Sequence, residues 1–416
     1  MVDASAWSWD PGDREICDVA KMAEGTEWLE ETYASPDGEK IAAVACTGEA
    51  EFSINVNGEL WEERYEKIIC PRFAPDGRLA AYVSADMEWT VAVDGESWPE
   101  GYGFCWDMRF EGGRIQTAVQ QDTRYGMAVD GEIWETLFDN ANNFSVSADG
   151  SRTAAAVQLD PLAQADIYKF QQGVFGVAVD GVAWPERYVN VWTPVFSPDG
   201  RRVAVQVRLS LYDYTICVDG ECWNTKYPTV WEPSFNPATG AVVAPVRLKG
   251  KWGMAENDAI LWEPKFTQVW QQQFGADGKH LYAIVATEFG RFTVARDGQA
   301  WGETAPVVWD LTVSPDGTHA ACVTKSGNDY GVLVDGKAWP GRYDMIFAPV
   351  FSADGAHAAV HAERAGRHTV VVDGKPYGGD FDRVFQPVFS PDGAKVLIKG
   401  VKGGKFHRIV APLSDF

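Results

Sequence analysis

Ten glycines, at positions 38, 77, 113, 150, 200, 240, 278, 317, 355 and 393, each close a short turn. They stand 36 to 40 residues apart except for one interval of 50. In a chain without helical periodicity, that spacing marks one supersecondary unit stacked many times, because a unit of this length cannot bury its own apolar face. The clearest copy runs from Thr193 to Trp223. Within it, Ser197-Pro198-Asp199-Gly200 places Pro where a fixed φ suits the second turn position and Gly where positive φ costs nothing, so a tight turn is predicted. Val203 to Val207 alternates at period 2, as a strand with one buried face does. Asp219-Gly220, between Ile216-Cys217-Val218 and Glu221-Cys222-Trp223, signals a two-residue hairpin. One unit therefore reads as a four-stranded antiparallel meander.

An aromatic follows the second-turn glycine at an offset of three, from Gly25/Trp28 and Gly58/Trp61 through Gly336/Trp339 to Gly374/Tyr377. Trp262 keeps the place in the unit whose turn has become Asn257-Asp258. A side chain repeated in every unit is read as packing between neighbours. The whole chain, 1–416, is predicted to be one all-β domain: a single closed β-propeller of about ten four-stranded blades. Only one unit is split. Residues 1 to 37 read as its second half, with a strand over Ile16 to Ala23, the turn Glu24-Gly25 and then Trp28; the carboxyl end supplies strands at Lys395 to Lys399 and Lys405 to Pro412. Closure inside one blade removes the open sheet edges that invite aggregation. The interval of 50 residues holds an insertion, Asp160 to Gly173, between the second and third strands of its blade. Asp160 is placed to cap a short helix there with Pro161 at its first position, so this segment is predicted to protrude.

The chemistry-bearing residues argue against catalysis. C-x-x-C and C-x-x-C-H are missing, so neither an iron-sulfur cluster nor covalent haem is expected, and no cofactor is assigned. The six histidines fall in the last third without metal-site spacing; His357, His361 and His368 share one unit but are read as packing or surface residues. With no G-x-S-x-G elbow and with Asp199, Asp316 and Asp392 sitting in turns where they bond nearby backbone, no enzyme is expected. Cys217 and Cys222 are predicted cross-strand neighbours and a candidate redox pair. Small residues at the same places in other units, such as Ala178 and Ala183, argue instead for close packing.

A net charge of −23 opposes nucleic acid or an anionic membrane surface as partner and favours a basic protein. One basic run, Lys395, Lys399, Lys402, Lys405 and Arg408, is expected either to meet an acidic neighbour or to solvate the closing blade. Met1 to Asp18 is acidic and lacks an apolar run, so neither a signal peptide nor direct membrane insertion is expected. Seven irregularly spaced cysteines fit a reducing compartment, and a cytoplasmic location follows, with membrane contact only through partners. A second aromatic column stands eight residues before the first-turn glycine at Trp192, Trp270, Trp309, Phe347 and Phe385, with Trp106 and Trp231 in register. These positions are expected where one blade crosses to the next, on the rim that also carries the insertion with Tyr168 and Phe170. They are a candidate docking rim.

The P-x-F-S-P-D-G motif at Pro194, Pro349 (as F-S-A-D-G) and Pro387 resembles the WD40-like repeats of TolB-type and prolyl-oligopeptidase-type propellers. The added V-D-G-x-x-W signature on a Trp-rich, acidic chain is similar to the tryptophan-rich cytoplasmic subunit of the transmembrane electron-transfer complex of sulfate-reducing bacteria. That second resemblance implies a cofactor-free accessory or scaffold subunit beside an iron-sulfur subunit and a membrane cytochrome. A carbohydrate-binding or carbohydrate-processing propeller is the alternative, since Trp faces open in a groove with carboxylates and amides would stack on sugar rings.

Overall fold

The computed structural model describes residues 3–163 and 166–416. Its strands form ten antiparallel sheets, nine with their strands in chain order and one closed by the amino-terminal strand, arranged as a ten-bladed β-propeller. Blade 2 shows the plan: Lys67–Phe73 is the first strand, then Leu79–Ala85, Glu88–Val93 and the short Glu96–Ser97. First strands of successive blades approach one another, so they form the inner wall and the fourth strands the outer one. Second strands such as Ile41–Gly48 and Val203–Arg208 are buried almost throughout. Their Ala, Val and Ile side chains on both sheet faces fill the space between blades.

The turn chemistry explains why every unit folds alike. In the two-residue hairpins both residues have positive φ, as at Asp94 (49°) and Gly95 (93°), the pairing whose twist matches the flanking strands. Each such Asp also reaches back to the start of the second strand; the Asp94 carboxylate accepts from the Leu79 N–H at 3.0 Å. In the S-P-D-G turns Ser197 Oγ donates to Asp199 at 2.6 Å, and Asp199 accepts from the Arg201 N–H. Those two bonds hold the Asp199 carboxyl below its usual range, the Ser197 hydroxyl contributing most. The turn aspartates are thus structural, as expected.

The column of Trp after the second turn seals blade to blade. A Cβ placed on Gly336 would stand 3.0 Å from Trp301 of the preceding blade, and Gly95, Gly131 and Gly298 lie against Trp61, Trp98 and Trp262 in the same way. The glycine supplies both the left-handed turn and the room for the indole.

Two sequence readings need correction. Closure does occur within one blade, but the closing strand is Gly12–Asp18, paired with Lys405–Pro412 from Gly12↔Val410 to Asp18↔Lys405. Residues 19–22 form a helical turn capped by Asp18, whose side chain accepts from the Ala20 N–H, rather than extending the strand. Trp28 then opens the first strand of the next blade, paired with Cys46, and does not belong to the sealing column. In the insertion, the helix is Ile167–Gln172 and its cap is Asp166, which accepts from the Lys169 N–H. Asp160 is engaged elsewhere, accepting from Arg187 Nε at 2.9 Å, so it cannot cap. The insertion does lie between the second and third strands of its blade.

Candidate functional site

The alternation of strand direction gives the ring two chemically different faces. All the S-P-D-G and D-G turns lie on one, the turn face, where many of their aspartates pair with Arg, Lys or His side chains. The loops between second and third strands and the crossovers between blades lie on the other, the crossover face. Sixteen large apolar side chains are exposed among the described residues, and twelve of them are on the crossover face. Six stand on loops: Met87, Ile167, Tyr168, Leu211, Tyr212 and Phe289, the last 98% exposed. The other six, Trp28, Phe104, Trp231, Val307, Met345 and Phe347, stand at the inner ends of first strands. Exposed apolar side chains are thus concentrated on one face of the ring.

The second aromatic column takes part in that rim unevenly. Trp106, Trp270 and Trp309 lie within first strands, opposite Ala118, Ile284 and Val323, and not in the crossovers as the sequence suggested. Each turns an edge or face across its own blade toward an aromatic on the third strand: Trp106 to Tyr125, Trp192 to Tyr214, Trp270 to Phe292, Trp309 to Tyr330 and Phe385 to Phe406. These five are half-buried. Trp231 and Phe347, each 44% exposed, are the most open members of the column. In the insertion Tyr168 is exposed, while Phe170 packs edge-on against Phe175. The loop residues Met87, Leu211, Tyr212 and Phe289 went unnoticed in the sequence because this loop varies from unit to unit and forms no column. Their signal was an apolar residue beside Gly or Asp in a hairpin loop.

A β-bulge interrupts several first strands directly after this column, with Cys70, Asp107, Asn143, Gln271 and Asp310 at φ between 52° and 57°. Where bulge and aromatics of blades 8 to 10 meet, the crossover face opens into a cleft of about 820 Å³. Its walls are Trp309, Tyr330, Phe347 and Phe385, with Asp310, Asp382, Glu31, Arg383 and Gln386 among them. Glu31 Oε1 pairs with Arg383 at 2.6 Å, and Asp382 pairs with Arg367. At the back, Phe347 lies flat on the buried His361 ring, 4.1 Å between centroids, and His361 Nε2 is 2.9 Å from His368 Nδ1. Burial, followed by the neighbouring His368 and Arg383, pushes the His361 imidazole down to about 3, so it is neutral at pH 7.

The remaining candidates resolve as follows. The Cys217 and Cys222 sulfurs are bonded, S–S 1.97 Å, on facing residues of the third and fourth strands. The preference for unbonded packing residues at these positions is therefore corrected. His280, His319 and His357 each pair with a turn aspartate through Nδ1, and no group of three potential metal ligands occurs among the described residues. Most of the basic run is engaged within the ring rather than merely solvating its blade. Lys395 Nζ donates to Trp9 O, Arg408 Nε to Asp37 O and Lys405 Nζ to Glu15, while the wholly buried Lys399 ammonium lies beside Ser35 and Pro36 carbonyls. It ties the closing blade to the amino-terminal segment and to blade 1; Lys402 alone is free in solvent.

No family model matches the chain, and no curated protein matches its sequence. Many solved chains do resemble it in structure. One, described as "Crystal structure of the eukaryotic initiation factor", superposes with a TM-score of 0.50 at 13% identity, over 79% of this chain and 91% of its own. At that identity the likeness carries the propeller fold and nothing about activity. No helix among the described residues is long and apolar enough to cross a membrane.

Proposed function

We propose that this propeller is a non-enzymatic docking subunit that receives a protein partner on its crossover face, as an accessory member of a membrane-associated electron-transfer complex. The observation that carries the reading is the segregation of exposed apolar side chains: among the described residues, twelve of sixteen crowd the crossover face. Blades sealed at six seams by Trp–Gly contacts supply a stiff platform, so little ordering cost accompanies docking. Trp231, Phe347 and Phe289 are the anchors, since large aromatic side chains with open faces dominate interface energetics. A net charge of −23 speeds encounter with a basic partner and loses that effect as salt rises. The resemblance of the V-D-G-x-x-W pattern to the Trp-rich cytoplasmic subunit supports an iron-sulfur or cytochrome subunit as the partner class and the inner face of the membrane as the complex's location.

The test is co-purification from detergent-solubilised host membranes at low salt. The reading expects a partner with iron-sulfur or haem absorption, retained by the native ring and lost from Trp231→Ser/Phe347→Ser/Phe289→Ser at unchanged melting temperature. Equal recovery by both proteins, or a ring that comes through alone and binds glycans, overturns it and favours the carbohydrate reading.

A further inference from the structure

The cleft between blades 8 and 10 combines aromatic walls with an excess of acid. Its carboxylates outnumber its arginines: Glu31, Asp310 and Asp382 against Arg383, while His361 Nε2 is in hydrogen-bond contact with His368 Nδ1. Glu31 and Asp382 have arginine partners. Asp310 has none: among the described residues no hydrogen bond or ion pair engages its side chain. It sits at the bulge, φ 52°, between the half-buried Trp309 and the turn of chain that leads to Leu311. Bulges re-aim a side chain out of the ladder, and here the residue so displaced is an unpaired acid at the edge of an aromatic cavity. Its equivalent in blade 3, Asp107, follows Trp106 at the same φ but is satisfied by Arg109 at 2.9 Å. The same backbone device therefore carries a neutralised acid in one blade and a vacant one in the other.

In the same cleft Phe347 offers a ring face, backed by the flat His361, and is 44% exposed. An aromatic wall and a lone carboxylate in a partly desolvated cavity select a cation that is planar and weakly hydrated. An ammonium would have to shed a tight water shell to enter; a guanidinium or amidinium would not, and its N–H fork matches a carboxylate. We propose that this cleft is a binding site for a planar organic cation, a guanidinium or amidinium group that lies against the Phe347 and Trp309 walls and donates to Asp310. Burial alone raises the Asp310 carboxyl above its usual range, which is the mark of an acid lacking a counterion. The inference shares Phe347 with the docking reading but does not rest on it: the titration uses the ring alone, so its failure leaves the co-purification test standing.

The experiment titrates the full chain with benzamidine and with its neutral isostere benzamide, following tryptophan fluorescence and calorimetry. Saturable benzamidine binding is expected, with benzamide at least about tenfold weaker. Asp310→Asn and Phe347→Ala should each weaken benzamidine by about tenfold, while Asp107→Asn leaves it unchanged. Agmatine and N-acetyl-argininamide then separate the two sources of such a group: tighter agmatine marks a free metabolite, tighter argininamide a side chain of a protein. Equal affinity for benzamidine and benzamide, no saturation by any of these probes, or equal losses in Asp107→Asn and Asp310→Asn would overturn the assignment. The isostere comparison uses the native chain, so it stands even where a variant fails to fold.

Discussion

Lys399 gives the sharpest physical test of how the ring is closed. Its ammonium is wholly buried at the junction of blade 10 and blade 1, 3.5 Å from Ser35 O and 3.3 Å from Pro36 O, and its stem packs on Gly38. Burial drives its pKa from the ordinary 10.5 down to about 8, opposed by the nearby Asp37. That fall corresponds to about 3 kcal/mol of lost stability while the amine is protonated in both states. The sign follows from proton counts. Below pH 8 folded and unfolded chains both hold the proton, and stability does not change with pH on this account. Between pH 8 and 10.5 only the unfolded chain holds it, so stability rises by about 1.4 kcal/mol per pH unit. Lys399→Met keeps the stem and removes the titration. At pH 7 it relieves the burial cost but leaves the Pro36 carbonyl without its donor, a loss of about 1–3 kcal/mol, so the two nearly offset. The informative quantity is the difference between the proteins as a function of pH. Urea unfolding followed by tryptophan fluorescence at pH 7, 8, 9 and 10 should show the native chain gaining roughly 2–3 kcal/mol on Lys399→Met across that range. Other titrations, including the buried tyrosines, are common to both and cancel. A difference that stays flat from pH 7 to 10 would refute the claim that a buried ammonium sits in the closing joint.

His361 predicts the opposite end of the pH scale. Neutral in the fold with a pKa near 3, it contributes stability that is fully present above pH 6.5 and is lost as pH falls toward 3. His361→Phe should therefore flatten the acid limb of a melting-temperature profile between pH 6 and 4, and parallel acid limbs would count against it. At the blade seams, Gly336→Ala meets both a φ of 76° and Trp301 at 3.0 Å, whereas Gly25→Ala meets only a φ of 78° with nothing near its Cβ. Gly25→Ala should cost about 1–2 kcal/mol and Gly336→Ala clearly more; a Trp301→Ala background should bring the two together, which a double-mutant cycle of urea midpoints reads directly.

Much of this architecture could be read from particular residues. The D-G pairs demanded two left-handed residues in a row, and only a two-residue hairpin of one type accepts them, as Asp94-Gly95 shows. The Trp at the constant offset foretold a contact made once per blade, and Gly336 against Trp301 is that contact. Competition for the same polar group defeated the local readings. Asp160 looked like a helix cap until Arg187 claimed it, and the basic run looked like a surface until the amino-terminal segment was seen lying against it. The docking rim was legible in its strand positions and illegible in its loops, because side chains such as Phe289 repeat nowhere.

Turn chemistry, the period-2 apolar strands and the regular interval thus determined, from the sequence alone, that there are ten meanders and that they belong to one closed ring; these are local rules whose signals lie within a few residues of one another. Folding alone decided which acids have partners, which aromatics face solvent, and that Asp310, Phe347 and Arg383, drawn from three blades, border one cavity. Those outcomes depend on contacts between residues tens to hundreds of positions apart, and no spacing along the chain encodes which side chain will arrive first.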